Sequence, residues 1–184
     1  MNRQSSIALV VVRLRIGSQD CLLLQRHHKW GDWSLIGGHV EPDEEADWHR
    51  TAVREADEEL APLREGTDFV VDRQPRLGIT WGPAPSRSAQ GIPTEYTVQF
   101  FGLRFLADPI ALLPRLPRLE FAVVPLETLA SAHGPGLPVA EPVQRLLAVP
   151  SGLAGLALSW PTEIASEHLH VSLVWPPTPM RASG

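Results

Sequence analysis

The chain is short of several things. Cys21 is its only cysteine, so no intramolecular disulfide can form, and a reducing cytoplasmic setting is expected. It lies in an apolar run, where an inert buried thiol is expected rather than a nucleophile. Lys29 is the only lysine among 16 basic residues, and the net charge is −5. That balance argues against a generic electrostatic grip on nucleic acid. No apolar run reaches the length of a membrane span. Met1 to Ser6 is polar and the apolar run Ile7 to Val12 is too short for a signal-peptide core, so no targeting segment is expected. The seven histidines show no zinc-ligand spacing, and polar surface positions are the plain reading of them. There are no internal repeats.

What the chain has is a carboxylate-rich segment, Gly37 to Ala61 (GGHVEPDEEADWHRTAVREADEELA). Trp48, Ala52, Ala56 and Leu60 recur every fourth residue with Val53 beside them, an apolar stripe at helical period. Asp43 or Asp47 could cap the start of this helix, and Pro62 stops it. Glu55, Glu58 and Glu59, at i, i+3 and i+4, then share one edge about a quarter turn from the stripe. Three like charges so placed destabilise a helix. A hard divalent cation with oxygen ligands offsets the repulsion, whereas a solvated acidic face is the bland reading of the same residues. Gly37-Gly38 is expected to form a turn ahead of the helix.

The segment resembles the Nudix box, the signature of pyrophosphohydrolases acting on nucleoside diphosphates linked to another group. Gly38, five residues and Glu44 follow the pattern, as do Arg54, Glu55, Ala56, Glu58 and Glu59. Trp33 to Gly38 is similar to the strand that leads into the box. Two features depart from it. Nine residues separate Glu44 from Arg54 where the pattern has seven, which puts the role of Glu44 in question. Two residues added within a helix would rotate its downstream part by roughly 200°, so the insertion is expected in the loop before the helix. Ala61 and Pro62 also replace the closing glycine and apolar residue.

The resemblance implies an α/β fold, an α/β/α sandwich around a mixed sheet, and divalent-metal-dependent hydrolysis of a pyrophosphate bond. It implies Mg²⁺ or Mn²⁺ held by Glu55, Glu58 and Glu59, with Arg54 pairing Glu58. It also implies a further carboxylate from outside the box as base. Glu120, before the apolar run Phe121 to Pro125, is the first candidate and Glu95 the second; an ordinary surface glutamate is the alternative for each. Trp30, Trp33 and Trp81 are candidates to stack a nucleobase, Trp81 foremost, with a place in the core or rim as the alternative. The expected partner is a small nucleotide, with no membrane, and a homodimer is left open. The competing reading is a non-catalytic Nudix-fold module that binds a nucleotide or a protein, motivated by the insertion and the lost glycine.

Periodicity predicts strands over Ser6–Ile16 and Cys21–Gln25 joined as a hairpin through Gly17–Asp20, then Trp33–Ile36. Asp68–Thr80, with a break at Pro75, Thr94–Leu106 and Glu120–Val124 are further strands. Gly82–Pro93 is a loop by composition, and helices are expected over Pro125–Ala132 and Val139–Val149. Residues 1–150 make one domain. Residues 151–184 form an extension with one strand candidate, His168–Trp175, and a Pro-rich end expected to be disordered.

Overall fold

The computed structural model describes residues 2–117, 120–131, 138–149 and 162–164. Among the described residues, ten strands form two mixed five-stranded sheets. In the first, β5 (Ile36–His39), β1 (Arg3–Val11), β8 (Pro93–Phe105) and β6 (Phe69–Val71) lie side by side, and β7 (Leu77–Pro85) also pairs with β8. In the second the order is β10 (Thr162–Ile164), β2 (Arg13–Ile16), β3 (Gln19–Arg26) and β4 (Trp33–Ser34), with β9 (Phe121–Pro125) on the other flank of β3. β1 runs parallel to β8, and β3 antiparallel to β9.

Alternation along the strands builds two hydrophobic layers, because successive side chains leave a strand on opposite faces. Ala8 and Val10 of β1, Cys21 and Leu23 of β3, and Phe101 and Leu103 of β8 join one core. Leu9 and Val11, Leu22 and Leu24, and Val98 and Phe100 join the other. Helix α1 (Trp48–Glu59) covers the first layer with Ala52, Ala56 and the adjoining Leu60, all fully buried. Helices α3 (Leu126–Ser131) and α4 (Glu141–Ala148) cover the second through Leu129, Val143 and Leu146. Short α2 (Pro109–Leu112) and a 3₁₀ turn after it close the first layer. The result is the expected α/β/α sandwich.

The differences from the sequence reading are local. The first apolar run is two strands, broken at Val12. The broad strand expected over Asp68–Thr80 is β6 and β7, separated by Asp72–Arg76, which includes Pro75. The expected loop Gly82–Pro93 is shorter: β7 continues to Pro85 across an irregularity between Trp81 and Ala84, and pairing resumes with Ala84 opposite Thr94 and Pro85 opposite Pro93. Composition misreads this stretch because its prolines sit at the end of β7, beside an irregular register. β10 is an addition, three residues beyond position 150 that pair with β2. The strand candidate His168–Trp175 and the Pro-rich end lie outside the described residues.

Candidate active site

Gly37 and Gly38 belong to strand β5 and do not form the expected turn. They pair opposite Leu9 and Ala8 of β1, and Gly37 has φ +131°, a backbone region closed to other residues. A Cβ at Gly37 would run into the Ala8 carbonyl oxygen, and one at Gly38 would lie 2.5 Å from Glu55 Oε1. The two glycines therefore let Glu55 and Glu59 of α1 lie directly against the strand.

Residues 41–47 form consecutive turns, and α1 begins at Trp48, so the two extra residues of the box sit ahead of the helix. Asp47 occupies the N-cap position but makes no side-chain cap; its carboxylate takes Arg73 at 3.0 Å instead. Glu44, whose role the insertion put in question, is buried. It accepts from Thr51 Oγ1 at 2.7 Å and from Arg54 Nη2 at 3.2 Å. The Arg54 guanidinium, with Thr51 and the Glu41 amide, holds the Glu44 carboxyl down at about 2. The expected pairing of Arg54 with Glu58 is its weakest contact, at 3.9 Å, against 2.7 Å to Glu55 and 3.2 Å to Glu44. The reason is geometric. Glu44 comes back under the helix from the turns before it, offering Arg54 a buried partner that helical spacing alone does not reveal.

Glu59 turns inward. It accepts from the Gly37 amide at 2.8 Å, and the Gln25 side-chain amide, oriented to donate, lies 3.0 Å from its Oε2. Burial pushes its pKa up to about 7, with Glu55 and Glu58 adding to the rise against the Gly37 hydrogen bond. Glu55 is also raised, by burial first, with Arg54 opposing. Glu58 points outward with its side chain 62% exposed. The three carboxylates thus share one helix edge, two against β5 and one in solvent. Among the described residues, no group of three or more His, Cys, Asp or Glu side chains is gathered as a metal cage. The donor chemistry nevertheless fits a hard cation. Glu55 and Glu59 have lost hydration and repel one another, a deficit that a divalent ion offsets.

A cleft of about 500 Å³ opens at Glu59. Gln25, Arg26, His27, His28, Gly37 and Glu120 line it. The structure therefore brings Glu120 to the same cleft as Glu59. β9 sets its position, and the Glu120 carbonyl accepts from the Arg26 amide at 2.7 Å. Glu95 is not brought there: its carboxylate accepts from Asn2 and Gln4, with Gln4 Nε2 at 2.6 Å. Arg26, His27 and His28 line the cleft too, and the sequence does not single them out. They come directly after or at the end of β3, and the only signal was their position at a strand end, where loops carry function. The His27 and His28 rings stack, with centroids 4.9 Å apart. Trp81 stacks on Tyr96 at 5.0 Å in an adjoining cavity, and Trp33 is buried in the core.

Comparison with known proteins bears on this arrangement. The NUDIX domain family model matches residues 4–139. Among solved structures, a mutT/nudix family protein from Listeria innocua is similar at TM-score 0.52 and 18% identity, covering 85% of this chain and 94% of that one. The C. elegans Ap4A hydrolase is similar at TM-score 0.51 and 17% identity, covering 86% and 98%. A search of curated proteins finds no match. No helix among the described residues is long and apolar enough to cross a membrane. With the family match spanning most of the chain and Glu59 of the box set against β5 and lining a cleft, this protein belongs to the Nudix family and is an enzyme of the Nudix pyrophosphohydrolase type.

Proposed function

We propose that the chain hydrolyses a pyrophosphate bond in a nucleoside diphosphate derivative, using Mg²⁺ or Mn²⁺ held by Glu55, Glu58 and Glu59. The observation that carries this reading is the Glu59 carboxylate, desolvated against the Gly37 amide at the mouth of the cleft. A bound divalent ion supplies charge neutralisation of phosphate oxygens and a site for a water. The other tasks fall to the chain. Arg54, gripped by Glu44 and Glu55, fixes the helix edge and keeps Glu55 oriented. Arg26, His27 and His28 bring donors to the cleft wall, where phosphate oxygens need them. Glu120, exposed and lining the same cleft as Glu59, accepts a proton from the attacking water. Glu58 joins the ligand set by a side-chain rotation from its exposed position.

Calorimetric titration with Mn²⁺ tests the ligand set and also separates the enzyme from a non-catalytic binding module. Wild type is expected to bind, and Glu59→Gln to bind about 10- to 100-fold more weakly. Equal affinity in the two proteins would remove Glu59 from the site.

A further inference from the structure

Strand β3 ends its apolar run, Cys21 to Leu24, on a polar residue, Gln25. Side chains alternate along a strand, so Gln25 lies on the same face as Cys21 and Leu23, the face that α1 covers. A polar group at the edge of an apolar layer needs a partner, and Gln25 finds it in Glu59, the last residue of α1. Its amide nitrogen, turned to donate, lies 3.0 Å from Glu59 Oε2 and 3.2 Å from Oε1. The opposite orientation would set its oxygen against the carboxylate, acceptor on acceptor. The backbone of Gln25 is fixed on both sides, opposite Ser34 of β4 and opposite Phe121 of β9.

The two oxygens of Glu59 are unequal as a result. Oε2 receives the Gly37 amide at 2.8 Å and the Gln25 amide at 3.0 Å. Two donors are as many as a carboxylate oxygen with two lone pairs accepts. Among the described residues, Oε1 has only the longer contact with Gln25, shared with Oε2, and so keeps a lone pair for another partner. Both donors stand on strands, β3 and β5, and the carboxylate cannot swivel without losing both hydrogen bonds. Gln25, Gly37 and Glu59 all line the cleft.

We infer that Gln25 is a positioning residue for the metal: with the Gly37 amide it occupies Glu59 Oε2, leaves Oε1 as the single oxygen this carboxylate offers, and so favours Mg²⁺ or Mn²⁺ over Ca²⁺. The inference rests on the hydrolase reading for the presence of a cation, and on these three contacts for the role of Gln25. A small ion with six octahedral ligands is served by one oxygen from each carboxylate, whereas Ca²⁺ takes six to eight oxygens and readily uses both from one carboxylate. A Glu59 tied by one oxygen therefore penalises the larger ion.

Calorimetric titration of the full chain with Mn²⁺, and separately with Ca²⁺, tests this. Gln25→Met keeps the length of the side chain and removes the donor. It is expected to bind Mn²⁺ about tenfold more weakly, the scale of losing a partner that orients a metal ligand. Ca²⁺ should lose less, because a freed carboxylate can offer it both oxygens, so the ratio of Mn²⁺ to Ca²⁺ affinity should drop about fivefold. A packing role alone would weaken both ions alike. A second readout needs no metal: the side-chain amide NMR resonances of Gln25 in the metal-free protein should move on Glu59→Gln. Unchanged Mn²⁺ affinity in Gln25→Met, an equal loss for both ions, or a wild type with no preference for Mn²⁺ would overturn the role of Gln25 and spare the hydrolase reading. A wild type that binds neither ion would overturn that reading and the inference with it. If Gln25→Met does not fold, the wild-type preference and the amide resonances decide alone, and unmoved resonances overturn the inference.

Discussion

Glu59→Gln should make the metal-free protein more stable while disabling it. In the folded chain the Glu59 carboxyl titrates near 7, against an ordinary value of 4.5, because burial penalises its charge and Glu55 and Glu58 repel it. At about 1.36 kcal/mol per pH unit, that difference is worth about 3 kcal/mol as an upper figure. The sign comes from linkage. The folded state holds the proton to higher pH than the unfolded state, so stability is full below about 4.5 and falls as pH rises to about 7, then levels off. Glutamine keeps the acceptor for the Gly37 amide and carries no charge, so the variant should lack this decline. Urea denaturation with EDTA at pH 5, 6, 7 and 8 reads the effect. The two proteins should diverge as pH rises, with the variant ahead by a few kcal/mol at pH 8. Adding Mn²⁺ at 100 times its Kd should then raise wild type by about 2.7 kcal/mol and the variant far less. Parallel pH profiles would refute the burial argument for Glu59. Equal stabilisation by Mn²⁺ would refute its role as a ligand.

Other expectations are independent of that one. Glu44→Gln should cost about 2 kcal/mol at pH 7, the scale of a lost charge-assisted hydrogen bond, seen as a lower urea midpoint; since Glu44 is held at about 2, the gap should close as pH falls from 4.5 toward 2. Gly38→Ala places a methyl 2.5 Å from Glu55 Oε1 and should weaken Mn²⁺ binding about tenfold by calorimetry, with the fold kept by circular dichroism. Glu120→Gln should lower kcat about 100-fold and leave Mn²⁺ affinity alone, while Glu95→Gln changes neither; a large loss only in Glu95→Gln would reverse the assignment, and no loss in either would return the base role to the helix glutamates. Cys21, buried with its pKa pushed up to about 11, should resist iodoacetamide in the native protein and react on unfolding, as monitored by mass spectrometry.

Strong periodicity made the main elements readable. The stripe Trp48-Ala52-Ala56-Leu60 defines α1 because it repeats at the helical period and ends at a proline. Dense Val, Leu and Phe runs defined β1, β3, β8 and β9, since strands buried on both faces need no polar alternation. Local chemistry hid the rest. Gly37-Gly38 reads as a turn in sequence, yet works as a strand because only glycine fits between Ala8 and Glu55. Glu44 reaches Arg54 only once the chain turns back before α1, a contact across 10 residues that no fixed spacing encodes. His27, His28 and Asp32 belong to the loop between β3 and β4, with Arg26 at its edge, where composition carries no period at all. The place of Glu120, the proposed base, follows from topology, which no local pattern encodes: β9 runs beside β3 and sets Glu120 next to Arg26.

The most direct measurement is release of nucleoside monophosphate from a panel of nucleoside diphosphate derivatives, monitored by chromatography with Mg²⁺, with Mn²⁺ and with excess EDTA. Wild type should release nucleoside monophosphate from at least one substrate only when metal is present. Glu58→Gln and Glu59→Gln should each lose most of that activity. Turnover that survives EDTA, or that is unchanged in both variants, would contradict a metal site on α1.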